Sequence, residues 1–317
     1  MADLHLVGLI GFPVGHSLSP RMQQAAFDAL GISARYVLWE TPPTELPARV
    51  AALREPEILG ANVTIPHKAA VPPLLDETTE GARLVGAVNT IVRIETTSGV
   101  RLAGHNTDVP GLRRALAELG AWTSPPGPLS HGERGAGAPG DVHQVGTSVV
   151  SEEKGKDGHR RMLVLGAGGS ARAALAVARL EGAVMWVAAR QLDAARALLG
   201  AGTAASAGAL DLADPARLAE ALAETDVLIN TTPAGMGDPD AAPLPLDLLA
   251  HLPADAVVFD LVYAPPETAL VRATRARGLR ASGGLPMLLY QGAEAFTLWT
   301  GRPAPVEAMR AAISEPH

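Results

Sequence analysis

A two-domain α/β fold with mainly parallel sheets is what this sequence predicts, on three observations. Its 317 residues exceed what one ordinary core needs and suit two. Short aliphatic runs alternate with helical patterns for most of its length, the arrangement of strands and covering helices. A glycine-rich turn, Gly166-Ala-Gly168-Gly169-Ser170-Ala171, stands directly between one such run and a helix.

The elements follow in order. Residues 4–10 read as the first strand, and a Gly- and Pro-rich loop runs from Gly11 to Pro20. Ser19 and Pro20 read as the N-cap and first residue of a helix over 20–30, stopped by Gly31. Residues 35–39 and 59–65 are the next predicted strands, the second ending at Pro66. Helix and strand patterns continue to about Asp108, and 110–119 is a further helix. From Trp122 to about His159 the chain is rich in Gly, Pro, Ser and charge, without apolar periodicity. This stretch, about 123–159, reads as a disordered insertion, with a lid or docking loop as the alternative. Beyond it, 161–165, 184–188, 227–229, 257–261 and 279–281 read as strands. Residues 171–180 and 285–298 read as helices, so 161–284 is predicted as a doubly wound nucleotide-binding domain.

Composition narrows the function. Hydrophobic residues make up 47% but aromatics only 3%, so the interior is built from aliphatic side chains. The net charge is −7 with no basic block, which argues against nucleic acid as a partner. No apolar run reaches membrane-span length, and the N-terminus lacks the pattern of a signal peptide. With no cysteine, thiolate catalysis and cysteine metal sites are excluded. A cytoplasmic protein is expected, with no metal, since no clustered His/Asp/Glu ligand set is visible.

The glycine turn carries the clearest chemistry. Gly166 permits the tight turn, Gly168 lets backbone approach a pyrophosphate, and Ala171 permits close helix–strand packing. The helix start then offers free N–H groups to phosphate. After the next strand the chain reads Ala188-Ala189-Arg190, without the acidic residue that binds an NAD ribose. Arg190 offers a guanidinium for a 2′-phosphate instead, which points to NADP. Arg172 and Arg196 are further candidates, or plain helix-surface charges.

In the N-terminal half, Ser17 and Ser19 can bind a carboxylate or polyol, though Ser19 reads equally as a helix cap. Asn62-Val-Thr64-Ile-Pro66-His-Lys68 sets polar groups at a strand's C-terminal edge, where open α/β sheets bind ligands. Lys68 is there a candidate acid–base or a surface charge. Asn89 and Asp108 lie in two more polar turns, 86–90 and 104–108, and Asp108 also reads as a helix cap.

Taken together, these segments resemble the shikimate dehydrogenase family. The resemblance rests on Gly11–Pro20, Asn62–Lys68, Gly86–Thr90, Asn106–Asp108, Gly166–Ala171, Asn230–Met236, Asp260–Tyr263 and Gly284–Phe296, in family order. It implies a substrate domain of 1–108 plus 285–317, a C-terminal helix returning to it, and an NADP-binding Rossmann domain of 109–284. It also implies reversible NADPH-dependent reduction of 3-dehydroshikimate to shikimate, in aromatic amino acid precursor synthesis. Lys68 and Asp108 would be the catalytic pair. Ser17 and Ser19 would hold the substrate carboxylate, and Thr64, Asn89, Asp108 and Gln291 its ring hydroxyls. Tyr263 would lie on the substrate side and Met287 near the nicotinamide. Gly166, Gly168, Gly169, Ser170, Ala171, Arg190, Thr231 and Gly284 would line the NADP(H) groove. Where the family commonly has Asn-Arg-Thr or Asn-Arg-Ser, this chain reads Ala189-Arg190-Gln191. A broader quinate/shikimate dehydrogenase and a catalytically idle NADP-binding regulator are the alternatives. The oligomeric state stays open, a homodimer included.

Overall fold

The computed structural model describes residues 4–122, 159–200 and 206–314. The expected insertion at about 123–159 therefore lies, apart from His159, outside the described residues.

Two six-stranded sheets form the frame. The first takes β1 (His5–Gly11), β2 (Ala34–Glu40), β3 (Ile58–Val63), β4 (Glu77–Thr78), β5 (Thr90–Thr96) and β6 (Gly99–His105), in the order β2-β1-β3-β5-β6-β4. β1 pairs in parallel with β2 and β3. The expected mainly parallel sheet is found, since β4 also pairs in parallel with β6; β5 alone runs antiparallel to its neighbours, β3 and β6. The physical cause is a two-residue connection between Thr96 and Gly99, too short for a parallel crossover and compatible only with a hairpin.

The second sheet takes β7 (Arg161–Leu165), β8 (Val184–Ala189), β9 (Ser206–Asp211), β10 (Val227–Asn230), β11 (Val257–Asp260) and β12 (Arg280–Ser282). Its order is β12-β11-β10-β7-β8-β9, and every pairing is parallel. That is the doubly wound order, in which the order of addition of strands reverses between β7 and β10. Strands 161–165 and 184–189 are fully apolar at their centres because helices cover both faces, so a continuous run rather than an alternation marks them.

Helices explain how the halves join. α1 (Ser19–Ala29) buries Met22, Ala26 and Phe27 on one face, and Gly31, at φ +60°, ends its turn. α4 (Asp108–Glu118) leaves the first sheet and packs against α5 (Gly169–Leu180) of the second. α9 (Leu285–Thr300) returns to pack on both α4 and α1, and α10 (Val306–Ser314) closes on α1. The rings of Phe27 and Phe296 meet at 5.2 Å across the α1–α9 contact. Such a pair adds about 0.5–1.5 kcal/mol to the area it buries. α4 and α9 approach so closely that a Cβ on Gly111 would lie 2.7 Å from the backbone nitrogen of Gln291. Gly284 serves the same end at the start of α9, where a Cβ would stand 2.1 Å from the Leu261 carbonyl oxygen.

One expected cap is corrected. Ser19 does not cap α1: Leu18 occupies the N-cap, and no side chain caps it. The helix starts one residue early, so the Ser19 side chain is turned inward and is 5% exposed.

A surface clasp holds the outer edge of the first sheet. Arg54 donates through both Nη atoms to Asp76, at 2.8 and 3.0 Å, and the Leu102 amide donates to Asp76 at 2.7 Å. The Arg54 guanidinium, and after it the Leu102 N–H, hold the Asp76 carboxyl below its usual range. A carboxylate with a depressed folded-state pKa stabilises the fold above its unfolded pKa and loses that effect as pH falls. The stability difference between wild type and Asp76→Asn, read from urea midpoints, is therefore expected to be constant near neutrality. It should shrink below about pH 4. A difference independent of pH down to acid unfolding would exclude this clasp as a source of acid sensitivity.

Candidate active site

Topology brings the polar turns of the N-terminal half to one edge. β1 lies between β2 and β3, so the loops leaving β1 and β3 diverge and open a crevice at their carboxyl ends. The loop after β1 carries Ser17 and Ser19; the loop after β3 carries Thr64 and Lys68. Gly11 lets these loops touch, since a Cβ there would lie 2.4 Å from Thr64 Cγ2. The antiparallel register aligns Asn62 of β3 with Thr90 of β5, and Thr90 with His105 of β6. Asn89, before β5, and Asp108, after β6, therefore emerge at the same edge as Lys68. A backbone bond from Val88 N to Lys68 O, 2.8 Å, fastens two of these turns.

The result is a compact charged and amide cluster. Lys68 Nζ donates to Asp108 Oδ2 at 2.7 Å, with side-chain exposures of 28% and 12%. The other carboxylate oxygen of Asp108 accepts from Asn89 Nδ2 at 2.9 Å. Asn89 Nδ2 also lies 3.4 Å from Gln291 Oε1, which brings α9 to the cluster. Asn89 Oδ1 in turn accepts from the Thr107 backbone N–H at 2.7 Å. That fixes the amide the right way round, with nitrogen toward the carboxylate. Asp108 is the first residue of α4, but Thr107 is its N-cap, so the capping alternative for Asp108 is replaced by these two side-chain partners. Charge-assisted bonds of this kind are worth about 1.5–3 kcal/mol each, enough to hold an ammonium in one place beside an open crevice.

The serine loop sits beside the cluster. Ser17 Oγ accepts from the Ser19 backbone N–H at 3.2 Å. Thr64 is half-buried near Val14. Tyr263 follows β11; it is half-buried, its hydroxyl is pushed to higher pKa by burial, and no hydrogen bond joins it to Lys68, Asp108 or Asn89. Met287 is partly buried in the first turn of α9, packed on the main core.

The predicted cofactor residues gather at the second sheet's reversal point. The Gly166 amide donates to Ala188 O at 2.8 Å, and its φ of +102° is one that L side chains rarely adopt. A Cβ there would lie 2.7 Å from Thr231 Oγ1, so the glycine turn and the turn after β10 form one wall. Around Gly168 and Gly169 there is open space, and α5 begins at Gly169 with no side-chain cap. Ser170 is half-buried beside them and Ala171 is fully buried against the sheet. Free helix-start N–H groups facing an open glycine cradle fit the pyrophosphate of a dinucleotide. Arg190 is exposed immediately after β8 and has no partner among the described residues. Arg196 pairs with Asp193 at 3.1 Å, and Arg172 donates to Val85 O at 3.4 Å. Of the three arginines, Arg190 is the one left available. Among the described residues no group of three or more His, Cys, Asp or Glu could hold a metal, and no helix is long and apolar enough to cross a membrane.

Sequence reading missed Tyr36, Asn62, Thr90 and Thr107. Thr90 and Thr107 are 3.1 Å apart between Asn62 and Asn89, fully buried. Three of the four lay inside motifs already singled out, but nothing in a linear pattern says that a threonine points inward to other polar atoms.

Residues 9–91 match the family described as the shikimate dehydrogenase substrate binding domain, and 284–313 match the shikimate 5′-dehydrogenase C-terminal domain. The shikimate dehydrogenase (NADP(+)) of Halorubrum lacusprofundi is 39% identical over 312 residues, covering 98% of each chain. That of Symbiobacterium thermophilum is 39% identical, covering 97% of this chain and 92% of its own. Among solved structures, the Thermus thermophilus shikimate 5-dehydrogenase in complex with NADP(H) and shikimate superposes with a TM-score of 0.77 at 34% identity, covering 98% of this chain and 99% of that one. The quinate dehydrogenase of Corynebacterium glutamicum in complex with NAD superposes with a TM-score of 0.78 at 28% identity, covering 98% and 99%.

Proposed function

This chain belongs to the shikimate dehydrogenase family, and we propose that it catalyses the reversible, NADP(H)-dependent interconversion of 3-dehydroshikimate and shikimate. The observation that carries the reading is the Lys68–Asp108 pair, with Asn89 on the second carboxylate oxygen and Gln291 on Asn89. As a biosynthetic enzyme with a soluble substrate, it is assigned to the cytoplasm and to the formation of aromatic amino acid precursors.

NADP(H), when bound, supplies or accepts the hydride. The protein's own residues supply placement and proton control. Ser17 and Ser19 hold the substrate carboxylate, which fixes one end of the ring. Thr64, Asn89 and Gln291 hold ring hydroxyls, and Tyr263 flanks the substrate. Lys68 Nζ then faces the ring oxygen on which negative charge develops, where a fixed ammonium stabilises the transition state more than the ground state. In reduction the Lys68–Asp108 pair delivers a proton to that oxygen; in oxidation it takes the hydroxyl proton back. Asp108 keeps the ammonium aimed, and Asn89 keeps Asp108 from rotating away.

The second reading, a quinate dehydrogenase, draws on the Corynebacterium relative and differs in a saturated ring with one more hydroxyl. Initial rates of shikimate and quinate oxidation, each with NADP and NAD, separate the two. A high kcat/KM for shikimate with NADP alone is the expected outcome. Faster quinate or NAD turnover would transfer the chain to the sister activity. No turnover with retained NADP binding would point to the regulatory alternative.

A further inference from the structure

We propose that Tyr36, which belongs to none of the motifs above, is a positioning residue that holds the Asn62 amide, and through it the Asn89–Asp108 side of the substrate pocket, in one orientation. Its phenol bonds the Asn62 amide, which leads through Thr90 and Asn89 to Asp108. The inference rests on the functional reading above for its substrate.

The donor and acceptor count fixes the direction of each bond. Asn62 Nδ2 lies 3.2 Å from the Asn89 carbonyl oxygen and 3.1 Å from Thr90 Oγ1. A carbonyl only accepts, so Asn62 must present its NH₂ there and its oxygen toward Tyr36. The Tyr36 hydroxyl therefore donates to Asn62 Oδ1, at 2.9 Å. Burial raises the phenol's pKa far above its usual value, so this proton is present at every working pH.

From Asn62 the chain of bonds continues inward. Thr90 Oγ1 lies 3.3 Å from Asn89 Oδ1 and 3.1 Å from Thr107 Oγ1, and the Thr107 N–H donates to Asn89 Oδ1 at 2.7 Å. Asn89 Nδ2 then meets Asp108. Asn62, Asn89, Thr90 and Thr107 are all at most 5% exposed, so water is not available to replace a lost partner. A phenylalanine would fill the same space against Trp299, whose ring lies 6.3 Å away. What the hydroxyl adds is orientation: it prevents the Asn62 amide from flipping.

The test is Tyr36→Phe, which keeps the ring and removes only the hydroxyl. The expected result is a roughly ten-fold loss of kcat/KM for shikimate, the scale of one unsatisfied buried acceptor. NADP affinity by fluorescence titration should be unchanged. In a cycle with Asn62→Ala, the tyrosine change should cost less in the double variant than alone, because Asn62 is its hydrogen-bond partner. Unchanged kcat/KM would overturn the proposal. So would equal losses in shikimate and NADP handling together with a lowered melting temperature, the mark of a core residue alone. If wild-type protein fails to oxidise shikimate, the functional reading falls, and hydrogen exchange at the Thr107 amide decides the positioning role by itself. Faster exchange in Tyr36→Phe at equal global stability supports it, and equal exchange overturns it.

Discussion

Replacing Lys68 by alanine is expected to lower kcat by at least ~10²-fold while leaving the binding of shikimate and NADP largely intact. The expectation follows from what Lys68 touches. Its ammonium bonds Asp108, whose second oxygen stays anchored on Asn89 Nδ2 when the lysine is gone. The crevice walls, the serine loop and the glycine cradle have no side-chain bond to Lys68 and keep their geometry. The loss therefore falls on the charge that forms only in the transition state. An interaction made only there lowers kcat and kcat/KM together without raising KM. Steady-state rates in both directions, with NADP affinity measured separately, distinguish this from a binding defect. Near-normal turnover would remove Lys68 from the chemistry and leave Asp108 to act through water. A rise in KM at constant kcat would make Lys68 a ground-state binding group.

The architecture was legible in the sequence wherever one physical cause acts locally. Strand 161–165 was located to the residue, because a fully covered parallel strand is a continuous apolar run. The glycine turn was legible because a tight turn, a close backbone approach and a close helix contact each demand a small residue at a fixed offset. Helices over 192–200, 215–222 and 269–276 were not picked out, and neither was strand 206–211. These segments are only six to nine residues long and rich in alanine or other small residues, so an apolar face about two turns long does not stand out in the linear sequence. Ser19 failed for a different reason. Ser-Pro is a sound local signature of a helix start, but the helix begins one residue earlier and the Ser19 side chain is buried. Lys68 and Asp108 could be paired only through the resemblance, since forty residues separate them. The register of β3, β5 and β6 is what closes that distance, and register is a property of the sheet.

Cofactor choice is the second place where one side chain should dominate. Arg190→Glu is expected to lower kcat/KM with NADP by about 10–100-fold and to change kcat/KM with NAD far less. A charge-assisted bond to phosphate is worth about 1.5–3 kcal/mol, and each 1.4 kcal/mol is ten-fold. Repulsion between the new carboxylate and the 2′-phosphate adds to that loss. The same carboxylate stands where NAD sites keep an acid for the ribose 2′-hydroxyl, so NAD has nothing to lose and a hydrogen bond to gain. Arg190 carries this expectation because it is exposed and has no partner among the described residues, while Arg172 and Arg196 are each engaged elsewhere. Its neighbours Ala189 and Gln191 offer the phosphate less help than the polar residues common in the family. Ala189 is 5% exposed and carries no polar side-chain atom. The burden on Arg190 is thereby greater, and the KM for NADP in wild type should rise with ionic strength more steeply than that for NAD. Initial rates with both cofactors, at two salt concentrations and in both proteins, measure all of this in one assay. Equal losses with NADP and NAD would mean that the substitution disturbs the adenosine side of the groove as a whole. The 2′-phosphate would then be held by Arg172 or Arg196, released from its present partner when the cofactor binds.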